Sequence, residues 1–271
     1  GTPGVVPTDL ATYLSAKAKM DLSLAPASQR RLQLDPIASA SIVNALKGLF
    51  NPQDTISEQY RDGLMGRTSG FDWYMNTLLG SITNGNMVVG VVVDAAPLSG
   101  ATLGIAGIAA GDSFRKGQIF TIAGVFDIHP ETKAVFGRLK QFVITQDFIA
   151  AGATGVLNIS PSLLPIATSG ALANVNVAAV AGAALVFAGA AGLTYPIALA
   201  YHKQAFAAAF ADLYMPKGID MGAREQLDGV SMRIVRDFDV TNDKLVTRVD
   251  VLYGYKTIRE SIACRIASGS S

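Results

Sequence analysis

The sequence is poor in charged residues, aromatic residues and cysteine. Only 16% of its 271 residues are charged and 8% are aromatic, whereas half are hydrophobic. Since about a quarter of the residues of a globular domain are ordinarily charged, the composition suits a subunit whose surface is covered by neighbouring molecules. The single cysteine, Cys264, excludes an intrachain disulfide and agrees with a reducing compartment.

A basic surplus is also absent. The chain has 22 basic and 21 acidic residues, a formal net charge of +1. Proteins held to nucleic acid through its phosphates need a basic excess or a clustered basic face. The pairs Arg30-Arg31 and Arg115-Lys116 stand isolated in the sequence. The charge pattern therefore argues against tight phosphate binding.

Targeting and membrane-spanning segments are not predicted. Residues 1–7 lack the basic start and apolar core of a signal peptide. The stretch from Pro161 to Tyr201 carries no charge, but Asn174 and Pro196 interrupt it and Ala and Gly dominate it. A spanning helix needs about 20 consecutive, strongly apolar residues. We therefore interpret this stretch as buried or covered at an interface, with no membrane as partner.

Two short motifs resemble ligand sites only in part. Residues 111–117 (GDSFRKG) lack the Gly-Lys-Ser/Thr ending of a phosphate loop, so we predict a turn that leads into a strand. Asp237, Asp239 and Asp243 have the spacing of a calcium loop, but Arg248 stands where such a loop requires a glutamate. We predict an ordinary solvated turn at these aspartates.

No catalytic, metal-binding or cofactor-binding residue is predicted, and the chain is not expected to be an enzyme. His129 and His202 lie too far apart in sequence to form a ligand pair. We expect His129 in a turn and His202 at a helix start. Cys264 has no base near it in sequence. A hydrolase with a carboxylate pair stays open as an alternative, because 21 acidic residues always allow some pair to meet.

The first 80 residues predict helices joined by turns. Thr8-Asp9 is typical of a helix cap, Asp35-Pro36 of a second helix start and Asn51-Pro52 of a third, which runs through Tyr60. The predicted apolar face of the first helix consists of Leu10, Tyr13, Leu14 and Ala18. That of the second, which ends near Gly48, consists of Ile37, Ala40, Val43 and Leu46.

From Ser81 the pattern favours strands. Short runs rich in β-branched residues occupy residues 87–93, 118–123, 141–145 and 155–159, as in an antiparallel barrel or sandwich. The segment from Ala198 to Phe210 contains a helix-like stretch. The end of the chain predicts a hairpin with strands Val230–Val240 and Lys244–Tyr253 around the turn Thr241-Asn242-Asp243. We therefore expect an α+β chain in which residues 81–192 form an inserted β domain between two parts of an outer domain, 1–80 and 193–271.

Residues 116–133 (KGQIFTIAGVFDIHPETK) and 139–145 (LKQFVIT) resemble the inserted domain of the major coat proteins of short-tailed bacteriophages. Further segments with the same resemblance follow in the family's order. They are Tyr60–Gly63 with Gly70–Tyr74, Ala200–Phe206 with Leu213–Gly218, Gly229–Val235, Arg248–Tyr255 and Arg259–Ile266. Together they cover the chain from about Phe50 to its end.

The resemblance implies the tailed-phage major capsid fold, with axial and peripheral domains and an inserted barrel-like β domain. The N-terminal arm, long loop and spine helix of such proteins have no counterpart here, and Gly1 is not an initiator methionine. We therefore expect a trimmed or internal part of a longer protein.

By the same resemblance, the chain self-assembles into hexamers and pentamers of an icosahedral head. The expected partners are itself, a scaffolding protein, a portal and double-stranded DNA bound without sequence specificity. We expect it in the virion, and in the bacterial cytoplasm before assembly.

Charges on the C-terminal hairpin are the candidate subunit contacts, because a closed shell needs complementary surfaces instead of a reactive pocket. These candidates are Arg233, Arg236, Asp239, Arg248 and Asp250. A second alternative is a carbohydrate- or receptor-binding β module. Such a module would display aromatic platforms, yet the only tryptophan, Trp73, precedes the predicted insertion.

Overall fold

The computed structural model describes residues 1–46 and 66–269. The chain forms two compact units, which are described separately: unit 1 comprises Gly1–His202 with Ser261–Ser271, and unit 2 comprises Lys203–Glu260. The predicted third helix and the motif Tyr60–Gly63 lie outside the described residues. The structure is mixed helix and strand, and mostly strand.

The longer helices are α1, Leu10–Leu22, and α2, Pro36–Leu46. The strands are β1 Arg30–Leu34, β2 Arg67–Thr68, β3 Phe71–Met75, β4 Ser81–Thr83, β5 Val92–Val93, β6 Gly100–Ala106, β7 Ser113–Phe114, β8 Ile119–Ile128, β9 Val135–Ile144, β10 Phe148–Ile149, β11 Thr154–Leu163, β12 Leu185–Phe187, β13 Thr194–His202, β14 Phe206–Ala211, β15 Met221–Leu227, β16 Val230–Asp239, β17 Lys244–Thr257 and β18 Ala263–Ala267. Short helical turns occupy Ile166–Ser169, Gly170–Leu172, Lys203–Ala205 and Glu260–Ile262.

Helix α1 begins where predicted, because the Asp9 carboxylate accepts a hydrogen bond from the Thr12 N–H at 3.3 Å. The buried face, however, consists of Tyr13, Ala16 and Met20. The predicted face was therefore wrong except at Tyr13, and Leu14 is 43% exposed. The helix packs against β18, so a distant strand selects which of its faces is buried.

Helix α2 also begins where predicted, with Asp35 Oδ2 accepting a hydrogen bond from the Ala38 N–H at 3.2 Å. Ala38, Ile42 and Leu46 are buried, so the predicted stripe was wrong except at Leu46. Ile37 is 42% exposed. A helix with apolar residues on most sides offers several stripes, and packing chooses among them.

The expectation that the first 80 residues are helical was wrong for β1 to β3. Strand β1 pairs with β3 in parallel and with β13 antiparallel, in a six-stranded sheet ordered β18-β13-β1-β3-β2 with β4 also on β13. Leu32 and Leu34 are buried on one side of β1. A strand of only five alternating residues is difficult to recognise between segments whose patterns favour helices.

The helix predicted within Ala198 to Phe210 was wrong as well. The stretch holds the end of β13, a helical turn and β14. Ala198, Ala200 and His202 are buried at a spacing of two, which is the period of a strand. Strand β13 lies between β1 and β18, and the hydrogen bonds and packing on both sides outweigh the helix propensity of alanine.

The strands between Val92 and Phe187 in unit 1 include those of a barrel-like sheet. Its strand order is β12-β8-β9-β11-β6-β5. The first and last strands of this sheet, β12 and β5, also come together. The Val93 N–H donates a hydrogen bond to Ala183 O and the Leu185 N–H donates one to Val91 O, both at 2.9 Å. Its interior is filled by Leu103, Ile105, Phe114, Phe120, Ile122, Phe142, Ile144, Leu157, Ile159, Leu185 and Phe187.

The predicted runs at 118–123, 141–145 and 155–159 fall on β8, β9 and β11. The run at 87–93 was mostly wrong, because only Val92 and Val93 form a strand there. Gly90 adopts a left-handed backbone, and its carbonyl lies 2.6 Å from where a Cβ of Gly107 would stand. The insertion limits 81 and 192 stay a prediction, with β4 to β12 between them.

Unit 2 is a four-stranded antiparallel sheet ordered β14-β17-β16-β15. The predicted hairpin is confirmed: β16 and β17 pair from Met232 with Val251 to Asp239 with Lys244. The second strand continues beyond the predicted Tyr253 to Thr257, where it pairs with β14.

Among the residues that the structure describes, no helix has both the length and the apolar character needed to cross a membrane.

Candidate assembly surface

The sheet of unit 2 has one apolar face. Residues that are directly opposite in neighbouring strands lie on the same face, and faces alternate along each strand. Pairs such as Met232 with Val251 and Ile234 with Val249 therefore lie together. This apolar face consists of Phe206, Ala208, Phe210, Met221, Ala223, Leu227, Val230, Met232, Ile234, Phe238, Leu245, Val249, Val251, Tyr253 and Tyr255.

Most of the apolar face is open to solvent within the chain. Its large side chains include Tyr255, which is 84% exposed, Leu227 at 77% and Val249 at 57%. The charged residues on the same side are Glu225 and Arg236. Soluble monomers rarely expose contiguous apolar patches larger than a few hundred Å². A face of this kind is typical of a surface that protein covers in an assembly.

The opposite face is charged. It carries Arg224, Arg233, Asp237, Asp239, Lys244, Arg248, Asp250 and Lys256. Residues 212–220 lie against part of it: the Cβ that Gly222 lacks would stand 2.4 Å from Ile219 Cδ1 and 2.8 Å from Met215 Cε. Gly222 therefore allows this close approach.

Three of the five predicted contact residues meet on the charged face. Asp250 binds Arg233, which lies directly opposite it, and Arg248 Nε at 2.5 Å. The hydrogen bond from Arg233, and then that from Arg248, lower the pKa of the Asp250 carboxyl. Arg233 and Asp250 are mostly buried, whereas the Arg248 side chain is 71% exposed.

The other two predicted residues lie apart from this cluster. Arg236 is on the apolar face, where its Nε and Nη2 bind Asp220 Oδ2 at 3.1 and 3.0 Å. Asp239 accepts hydrogen bonds from Asn242 Nδ2 at 2.7 Å and from the Thr241 N–H at 2.9 Å, which lower its pKa. Asp239 therefore stabilises the hairpin turn, and an intersubunit role for any of the five stays a prediction.

From the sequence, the two strands of the hairpin are expected to carry alternating apolar residues on one side, but only the charges are selected as contact candidates. Met232, Ile234 and Phe238 occupy even-numbered positions of β16 and therefore lie on one side of the strand. The pairing of residues between neighbouring strands was needed to show that the apolar residues of all four strands lie on one side of the sheet.

The residues considered for catalysis are dispersed. His129 Nδ1 accepts hydrogen bonds from the Glu131 and Thr132 N–H groups, both at 3.1 Å, as expected of a turn residue. His202 is buried at the end of β13, directly before the short helical turn Lys203–Ala205. The thiol of Cys264 is buried in β18 and donates to Arg265 O. The described residues contain no group of three His, Cys, Asp or Glu arranged to hold a metal ion.

Comparison with known proteins gives a family match. A family model described as "P22 coat protein - gene protein 5" matches residues 85–264, which is more than half of the chain. Among solved structures, the chain is similar to one titled "CUS-3 coat protein I-domain", with 24% sequence identity and a TM-score of 0.28. That match covers 37% of this chain and 96% of the other. A search of curated proteins finds no match.

Proposed function

The chain belongs to the P22 coat protein family, and from this we propose that its copies form the icosahedral head that encloses a tailed phage's DNA. It is a structural protein of the phage capsid, and its family is not an enzyme family. Coat proteins of this family assemble with copies of themselves, which locates the chain in the virion.

The observation that carries the proposal is the open apolar face of unit 2. In the shell this face lies against protein, because exposed apolar surface costs free energy in proportion to its area. The low content of charged residues has the same explanation, since a subunit surrounded by neighbours presents less surface to water.

The fold, the inserted domain and the assembly partners are proposed in line with the expectations from the sequence. We propose the tailed-phage major capsid fold, with residues 81–192 as its inserted β domain; the barrel-like sheet of β5, β6, β8, β9, β11 and β12 within those limits supports this. A scaffolding protein and a portal are the proposed partners during assembly in the host cytoplasm. The formal charge of +1 supports contact with packaged DNA without tight binding.

The apolar face is tested by two matched substitutions in β17. Val249 lies on the apolar face and is 57% exposed, whereas Val246 lies on the charged face and is 50% exposed. In the full-length protein expressed with its scaffolding partner, Val249→Lys should abolish closed shells in electron micrographs. Val246→Lys should leave shells intact, because its side of the sheet is already polar.

Circular dichroism of both variants establishes that they fold. Normal shells from a folded Val249→Lys protein would refute the role of the apolar face. If the unsubstituted full-length protein, expressed with its scaffold, forms no shells, the proposed function itself is wrong.

A further inference from the structure

We infer that the outer edge of β14 pairs with β14 of a second copy across a two-fold axis; this contact rests on the proposed function. The four-stranded sheet of each copy then continues into the other, and the two β14 strands run antiparallel. The inference depends on the open edge, its lack of protection and its self-complementary sequence.

Strand β14 is an edge of the sheet. It pairs on one side with β17, from Phe206 with Thr257 to Ala211 with Leu252. In the described part of the chain, no strand pairs with its other side. An edge of this kind presents backbone N–H and C=O groups that readily pair with a strand of another chain. The partner that fits this edge is therefore an extended strand of another chain.

The β14 edge lacks the devices that normally prevent such pairing. Residues 206–211 (FAAAFA) contain no charge and no proline, and their register with β17 is continuous, without a bulge. The opposite edge, β15, carries Arg224 and Glu225, and charged residues are among the features that prevent edge pairing. Of the two edges, β14 is thus the one adapted to pairing.

The sequence of β14 is complementary to itself. Residues 206–210 read Phe-Ala-Ala-Ala-Phe in both directions. An antiparallel copy centred on Ala208 places Phe206 opposite Phe210 of the second copy, and Ala208 opposite Ala208. A two-fold interface requires this reciprocity, since the same surface serves both partners.

The two-fold pairing also matches the faces and charges of the sheet. Phe206 and Phe210 lie on the apolar face, where they are 39% and 40% exposed. An axis perpendicular to the sheet keeps both apolar faces on one side and forms aromatic cross-strand pairs. Because β14 has no charged residue, no like charges meet across the axis.

The contact is small. Pairing of one short strand buries less surface than the roughly 1,200–2,000 Å² typical of stable isolated complexes. We therefore expect it in assembled particles, where many other contacts hold the subunits, and not as a free dimer. The experiment must accordingly use particles of the full-length protein.

Disulfide cross-linking tests the pairing. Directly opposite residues of antiparallel strands have Cα atoms about 4.5–5.5 Å apart, within reach of a disulfide. In a Cys264→Ala background, Ala208→Cys should yield covalent dimers when particles are mildly oxidised. Ala223→Cys is the matched control: an exposed alanine on the same face but on β15. It should remain monomeric on denaturing gels.

A second pair of variants tests the contact without cysteine. Ala208→Lys places like charges opposite each other across the axis and should reduce the yield of closed particles, whereas Val246→Lys, on the charged face of β17, should not. Particles in which Ala208→Cys gives no dimer overturn the inference and leave the capsid function intact. Cross-links formed only when Ala208→Cys and Ala223→Cys are combined also overturn it, because β14 then pairs with β15.

Discussion

Arg233 on β16 lies directly opposite Asp250 on β17, and the two side chains form an ion pair in which each is less than 15% exposed. The pair sits at the centre of the charged face, with Arg248 on the solvent side of the same carboxylate. Three of the residues that the sequence suggested as intersubunit contacts thus stabilise their own sheet.

The Asp250 pair should make unit 2 sensitive to acid. The pKa of the Asp250 carboxyl lies below its ordinary value of 3.8, because Arg233 and Arg248 bind the ionised form. A carboxyl with a lowered pKa in the folded state contributes stability above its unfolded pKa and loses that contribution as pH falls through the folded value. The melting temperature of wild type should exceed that of Asp250→Asn at neutral pH. The difference should shrink below pH 3.8, and a difference independent of pH would contradict this account.

Arg248→Ala should separate folding from assembly. The Arg248 side chain is 71% exposed, and Asp250 keeps Arg233 as a partner after the substitution. Exposed ion pairs contribute little to the stability of a monomer, whereas a contact of Arg248 with a neighbouring subunit would be repeated at every interface of a shell. We expect an almost unchanged melting temperature by calorimetry and a lower yield of closed shells by electron microscopy. A large loss of melting temperature with normal assembly would assign Arg248 to the fold alone.

Tyr13→Phe should preserve or increase stability. The ring of Tyr13 packs edge-on against Trp73 at 5.0 Å between centroids, and its hydroxyl is buried with no hydrogen-bond partner among the described residues. The same burial raises the pKa of the phenol. Leaving a buried polar group unsatisfied costs about 1–3 kcal/mol, so its removal should raise the free energy of unfolding measured by urea titration. A clear loss would show that the hydroxyl is hydrogen-bonded in solution.

Arg30→Met should destabilise unit 1. The guanidinium of Arg30 is almost fully buried; it binds Asp21 at 2.6 Å and donates to Ala25 O at 2.6 Å and Pro26 O at 2.7 Å. Methionine keeps much of the volume but none of these donors, so the loss should be about 1.5–3 kcal/mol of unfolding free energy. The control is Arg31→Met on the same strand, where the side chain is exposed. Equal losses in both variants, measured by urea titration, would refute a special role for the buried arginine.

The sequence by itself determined the elements whose signals are local. Asp9 and Asp35 mark the helix starts because a carboxylate beside unsatisfied N–H groups needs no other partner. The C-terminal hairpin was predictable because a turn and two alternating strands lie within one short segment. Family membership likewise follows from residues in order along the chain.

Tertiary structure decided whatever depends on partners distant in sequence. Ala198 to His202 forms a strand because β1 and β18 hydrogen-bond to either side of it, although alanine favours helices. Helix α1 buries Ala16 instead of Leu14 because β18 determines which face packs. Val91 and Leu185 bring the ends of the barrel sheet together across more than ninety residues. The open apolar face, too, emerged only from the register of four strands, since alternation within one strand does not specify which sides of its neighbours align.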